Sequence, residues 1–154
     1  MFQDLTGVLA DAKGLKEVTE DLARPFQSAG IDLVAGMEAR GFIVGTSVAR
    51  ALNVGFLAMR KAGKLPGDVH QAVYTLEYGE ATLEVHKEDI KEGMKVLVID
   101  DVLATGGTAL AAAQLIERAH AHVVGFGFVL DLTFLGGRDK LKNYNVHSLK
   151  SITA

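Results

Sequence analysis

Leu15, Val18, Leu22 and Phe26 recur at three- and four-residue spacing, the stripe of an amphipathic helix. Pro25 lies inside that stripe and should end or kink the helix near Arg24. Largely apolar runs follow at 31–35, 54–59, 96–99 and 123–132, separated by helical patterns, and predict strands of a buried parallel sheet. Helices are expected over about 42–52 and after residue 108, where Ala109, Ala112, Ala113 and Ile116 form a face of small residues able to approach a sheet closely. Between 73 and 85 the pattern changes to alternation. Val73, Thr75 and Glu77 are followed by a break at Tyr78-Gly79, then by Ala81, Leu83 and Val85, which predicts a two-stranded ribbon or mobile flap. Residues 145–152 read as an edge strand, and residues 2–6 show no clear period. With no internal repeat, low-complexity segment or linker, the expectation is one βα-alternating domain over 1–154 with an inserted hairpin.

Composition narrows the class. A chain of 154 residues that is 49% apolar is long enough for one domain with its own core. A net charge of −3 argues against a nucleic-acid or membrane surface as the main partner. No apolar run approaches the length of a membrane span and no charged-then-apolar leader begins the chain, so a cytoplasmic location is expected. The absence of cysteine excludes disulfides, thiolate metal sites and cysteine nucleophiles.

The chemistry concentrates after the run 96–99. Asp100 and Asp101 stand where that strand is expected to run out, and Ala104-Thr105-Gly106-Gly107-Thr108 turns into the alanine-rich helix. Ligands of open α/β sheets sit at the carboxyl ends of strands, and free N–H groups at a helix start bind anions. Gly106 and Gly107 let the backbone aim its amides at a phosphate. A nucleoside triphosphate loop would want a lysine that is absent here, and the glycines lack dinucleotide spacing. The loop therefore suits one terminal monophosphate, held by amides and the Thr105 and Thr108 hydroxyls. Ionised Asp100 and Asp101 accept hydrogen bonds only and suit vicinal sugar hydroxyls. Phosphate plus diol describes a ribose 5-phosphate. The competing reading is a buried strand, a surface acid pair and an ordinary turn.

Other features are weaker alone. Arg40, in Gly36-x-x-x-Arg40-Gly41, could bridge a polyphosphate bidentately or simply be solvated. Arg60, Lys61 and Lys64 form the densest basic cluster of an acidic chain; such a run is often a solvated face, but beside a phosphate cradle it could meet a pyrophosphate. Glu77-Tyr78 could be a plain turn, or a carboxyl carried by a closing flap that handles a proton on a nucleophilic base. His120 and His122 could chelate a metal from a strand, though no third ligand is evident, and His86 has no clear partner for nucleophilic work.

The stretch 96–108 resembles the signature of type I phosphoribosyltransferases, which bind phosphoribosyl pyrophosphate (PRPP). Phe2-Gln3-Asp4-Leu5-Thr6, Glu38-Ala39-Arg40-Gly41-Phe42, Arg60-Lys61-Ala62-Gly63-Lys64-Leu65-Pro66, Leu76-Glu77-Tyr78-Gly79 and Leu83-Glu84-Val85-His86-Lys87 resemble, in order, motifs of the adenine phosphoribosyltransferase family. The resemblance implies a central, mostly parallel sheet flanked by helices, a flexible hairpin flap, and an N-terminal hood reduced because relatives carry a segment ahead of the Phe2 position. It implies transfer of ribose 5-phosphate from PRPP to adenine, giving AMP and pyrophosphate, by a homodimer. Asp100 and Asp101 would hold the ribose, and Ala104, Thr105, Gly106, Gly107 and Thr108 the 5-phosphate. Glu38 and Ala39, joined by a cis peptide bond, would bind pyrophosphate with Arg40, Arg60, Lys61 and Lys64. Mg²⁺ would be held through PRPP and waters rather than by direct protein ligands. Phe2 and Val102 would sandwich the adenine, Gln3 would meet it through backbone atoms, and Glu77 would serve the proton exchanged at the purine with Tyr78 closing the flap. The alternatives are a phosphoribosyltransferase for another purine base, against which the Leu76-Glu77-Tyr78-Gly79 flap argues, and a non-catalytic PRPP- or purine-sensing protein. Such sensors usually carry an added DNA-binding segment, for which this chain has neither the length nor a basic stripe.

Overall fold

The computed structural model describes residues 5–76 and 79–154. Two N-terminal helices, α1 (Thr6–Ala10) and α2 (Ala12–Ala23), precede a 3₁₀ turn at Arg24–Phe26. Pro25 acts as expected: its missing N–H and fixed φ end the α-helix at Ala23 and tighten the next turn. Then follow β1 (Leu33–Met37), α3 (Arg40–Leu52), β2 (Gly55–Lys61), β3 (Val69–Leu76), β4 (Gly79–His86), β5 (Lys95–Leu103), α4 (Gly107–Arg118), β6 (His122–Leu132), α5 (Gly137–Lys140) and β7 (Val146–Ile152). Among the described residues no helix is long and apolar enough to cross a membrane.

Seven strands form one sheet in the order β3-β4-β2-β1-β5-β6-β7. β2, β1, β5, β6 and β7 are mutually parallel, and β4 joins β2 antiparallel through Arg60↔Glu84 and Lys61↔Leu83. The hairpin predicted as an insertion thus extends the sheet. Period-two alternation in β5 sets both cores. Val96 and Val98 face α4 with Phe126, Phe128 and the alanines of that helix, while Leu97 and Ile99 face α2 and α3 with Leu22, Val44 and Val48. Every one of Val96, Leu97, Val98 and Ile99 is fully buried, as a strand covered on both faces requires.

Two boundaries differ from the sequence reading in ways that matter to the site. β5 does not run out at Ile99 but continues through the acid pair to Leu103, because β6 goes on pairing with it at Asp100↔Phe128, Val102↔Leu130 and Leu103↔Asp131. α3 begins at Arg40 rather than near 42, so Arg40 stands on the first turn of a helix instead of in a loop. The small helices α1 and α5 are too short to show a hydrophobic period, and no sequence pattern announced them.

His120 adopts φ +60° just before β6, a left-handed conformation that a side chain resists. Its imidazole is exposed, and its backbone is committed to Glu117 O and Gly93 N. His120→Gly is therefore expected to stabilise the fold by about 0.5–1 kcal/mol, read as a rise in thermal midpoint of a few degrees. An unchanged or lower midpoint would contradict it.

Candidate active site

The pairing of β1 with β5 stops at Gly36↔Ile99, where β1 departs toward α3. β1 connects outward to β2 on one side and β5 to β6 on the other, so a crevice opens between their carboxyl ends, the switch point at which α/β sheets bind ligands. A cavity of about 300 Å³ lies there. Its walls bring together Glu38, Arg40 and Lys61, the acid pair, Val102, and the whole loop from Ala104 to Thr108. Tyr74 from β3 and Phe128 from β6 complete it; neither was singled out in the sequence, where each reads as an ordinary core position of a strand.

The loop is shaped by Gly106, whose φ of +90° lets the chain turn into α4. A Cβ there would sit 2.9 Å from Gly137 O, so the position rejects side chains on both counts. α4 starts at Gly107 with no side-chain cap, which leaves the first amides of the helix available to an anion in the cavity.

The acid pair is organised as two different carboxylates. Asp101 is 5% exposed; its Oδ2 accepts from Arg40 Nε at 3.1 Å and its Oδ1 from Val102 N at 2.9 Å. Asp100 Oδ1 accepts from Asp101 N at 2.8 Å and lies against Gly41, where a Cβ would come within 3.0 Å of it. Burial and then the charge of Asp101 push the Asp100 carboxyl well above the usual carboxylate range, with Arg40 only partly opposing them.

Of the expected cations, Arg40 and Lys61 line the cavity, whereas Arg60 and Lys64 do not and are held by Glu38 instead. The Glu38–Ala39 peptide bond is cis, as the resemblance implied. The Glu38 side chain gathers the basic turn after β2: Oε2 accepts from Lys64 Nζ at 2.5 Å, Oε1 from Lys61 N at 2.7 Å, and Arg60 Nε stands 3.5 Å from Oε1. Arg60 also lies 5.9 Å from the centroid of the Phe42 ring. Buried Glu84 grips the same turn from behind, accepting from Gly63 N at 3.0 Å and from the Gln71 amide. The carboxyl of Glu38 thus holds the cations and sets where they stand. The hydrogen bond from Lys64 is the main reason that Glu38 titrates at about 2.

A group depressed in the folded state adds stability above its unfolded value and loses it as pH falls through the folded one. Glu38→Gln should accordingly cost about 1–2 kcal/mol at neutral pH, discounted for the exposed lysine. The difference from the parent should shrink between the usual carboxylate range and about 2. Urea midpoints at pH 7 and pH 3 test this; a difference independent of pH would contradict it.

Phe2, Gln3, Glu77 and Tyr78 lie outside the described residues. Among the described residues no three His, Cys, Asp or Glu side chains gather as a metal-ligand set, His120 and His122 included.

The phosphoribosyl transferase domain model matches residues 7–153. An adenine phosphoribosyltransferase of Clostridium perfringens is 53% identical over 148 residues, covering 96% of this chain and 86% of that one. The crystal structure of the enzyme of that name from Thermoanaerobacter pseudethanolicus superposes with a TM-score of 0.95 at 45% identity, covering 98% of this chain and 88% of its own. A Saccharomyces cerevisiae structure, complexed with adenine and an imino-altritol bisphosphate, gives 0.91 at 39% identity, with 96% and 86% covered.

Proposed function

The chain belongs to the adenine phosphoribosyltransferase family, and from that premise we propose that its crevice transfers ribose 5-phosphate from PRPP to N9 of adenine, yielding AMP and pyrophosphate. The observation that supports this reading most is the meeting, in one cavity, of a phosphate-shaped loop, a carboxylate pair and a cationic wall. Each part suits a different portion of PRPP.

The loop 104–108 takes the 5-phosphate with its amides and the Thr105 and Thr108 hydroxyls. Asp100 and Asp101 accept from the ribose hydroxyls. Glu38-Ala39, Arg40, Arg60, Lys61 and Lys64 receive the pyrophosphate, whose departure leaves positive character at the anomeric carbon, as in glycoside cleavage. Glu38 and Glu84 fix the backbone of the segment that carries Lys61 and Lys64, so its cations meet the charge that develops on the leaving group from a fixed support. Phe2, Gln3 and Val102 hold the adenine, Glu77 handles the proton exchanged at the purine, and Tyr78 helps the flap exclude water that would hydrolyse the activated sugar.

Mg²⁺ would be held through PRPP oxygens and waters rather than by direct protein ligands, beside the acidic wall that Asp100 and Asp101 give the cavity, since magnesium prefers phosphate oxygens and waters. When bound it neutralises part of the pyrophosphate charge. The reading further takes the chain as one domain over 1–154 that works in the cytoplasm as a homodimer. Light scattering after size-exclusion chromatography should give the dimer mass; a monomer mass would contradict that part.

The test is a base panel. With PRPP and Mg²⁺, adenine should be converted while hypoxanthine and guanine are not. Preferential use of hypoxanthine or guanine would move the chain to a different purine specificity, and PRPP binding without conversion of any base would favour a sensor.

A further inference from the structure

A buried carboxylate paired with a half-exposed arginine stands behind the phosphate loop and takes no part in the chemistry above. Asp131, at the carboxyl end of β6, is 0% exposed; its Oδ2 accepts from Arg138 Nε at 2.6 Å, and Oδ1 has no hydrogen-bond partner among the described residues. The two remaining nitrogens of the guanidinium reach β7, donating to Val146 O at 3.2 Å and to Ser148 Oγ at 2.9 Å. One side chain thus ties α5 to the ends of two strands. A buried carboxylate half left without partners is expensive to keep for cohesion alone.

The other side of α5 touches the loop, backbone to backbone. A Cβ on Gly137 would lie 2.5 Å from Ala104 O and 2.8 Å from Leu103 Cδ1. In return, Gly106 can carry no Cβ because Gly137 O is in the way. The nearest atom is a backbone oxygen of the loop, with the Leu103 side chain beside it, so a displacement of α5 is felt at Ala104 as well as at the last residue of β5.

We propose that Asp131, Arg138 and Gly137 are positioning residues that act as a backstop for the loop 104–108 and fix the depth at which the 5-phosphate is held. The inference rests on the reading that this loop is the 5-phosphate site. It assigns a role to the segment after β6, whose residues otherwise stand outside the crevice. Gly137, unlike Gly136, has no positive φ, so an alanine there brings no backbone strain of its own and its effect reports the contacts with Ala104 and Leu103.

The two halves of PRPP separate the backstop from general loosening. Ribose 5-phosphate and pyrophosphate with Mg²⁺ are titrated separately by calorimetry into the parent, Gly137→Ala, Asp131→Asn, Arg138→Lys and Lys64→Ala. In Gly137→Ala and Asp131→Asn, affinity for ribose 5-phosphate should fall about tenfold while that for pyrophosphate stays within about twofold. KM for PRPP should rise with kcat little changed. Arg138→Lys keeps the charge but offers one amine to three acceptors, and should fall between. Lys64→Ala should show the reverse pattern, losing pyrophosphate and keeping ribose 5-phosphate. Parental affinity for ribose 5-phosphate in both Gly137→Ala and Asp131→Asn would overturn the backstop, and so would equal loss of both ligands. Failure of the parent itself to bind ribose 5-phosphate would instead remove the functional reading, and the backstop with it.

Discussion

Asp100→Asn is expected to lower kcat/KM for PRPP by about 10²-fold while raising thermal stability at neutral pH. Both effects follow from one environment. The Asp100 carboxyl is half-buried beside Asp101, so its charged form is costly in the free enzyme and its pKa stands well above the usual carboxylate range. A raised pKa in the folded state adds stability at low pH that is lost as pH climbs through the raised value. At neutral pH the parent bears that cost, and the neutral amide does not, while its Oδ1 still accepts from Asp101 N. The sugar hydroxyls, however, lose an acceptor-only partner and face an amide that also donates. The parent should therefore lose kcat/KM for PRPP as pH falls through a value above the ordinary carboxylate range, and Asp100→Asn should abolish that limb. Kinetics across pH with melting curves on both proteins check the pair of claims. A variant that is both as active as the parent and no more stable would contradict them.

Gly106→Ala should be comparably severe, with KM for PRPP raised about 10²-fold and affinity for adenine little altered. Two independent obstacles meet at this residue. The φ of +90° disfavours any side chain, and the new methyl would stand 2.9 Å from the Gly137 carbonyl. The backbone must give way, and what moves is the loop whose amides face the phosphate. Gly93 is the natural control, since its φ of +82° carries the same kind of strain outside the cavity, with nothing within 4 Å of a Cβ. Steady-state kinetics of Gly106→Ala and Gly93→Ala side by side should show a large difference in KM for PRPP. Equal, small effects would mean that the loop does not set phosphate affinity.

The architecture was legible because the core strands centre on largely apolar runs separated by helices of clear period. Residues 96–99 and 123–132 carry that signal without ambiguity, and Pro25 marked a real helix end. The loop and acid pair were legible as well, since a glycine turn between a buried strand and a helix has few physical meanings, and the cavity brings those residues to Arg40 and Lys61. The extension of β5 through Asp100 and Asp101 was not, because carboxylates in a sheet are unfavourable by propensity and only the pairing with β6 keeps them there. The roles of Glu38 and Glu84 as holders of the basic turn were equally hidden. Their partners are backbone amides and a lysine more than twenty residues away, contacts with no local period. Asp131 lay inside an apolar run and Arg138 in a helix of four residues, so nothing in the sequence linked them.

The account turns on group transfer, and its most direct test is to measure both products together. Purified protein mixed with PRPP, Mg²⁺ and adenine should release AMP and pyrophosphate in equal amounts, and neither without adenine. Pyrophosphate released without AMP, or bound PRPP that persists unchanged in the presence of adenine, would contradict it.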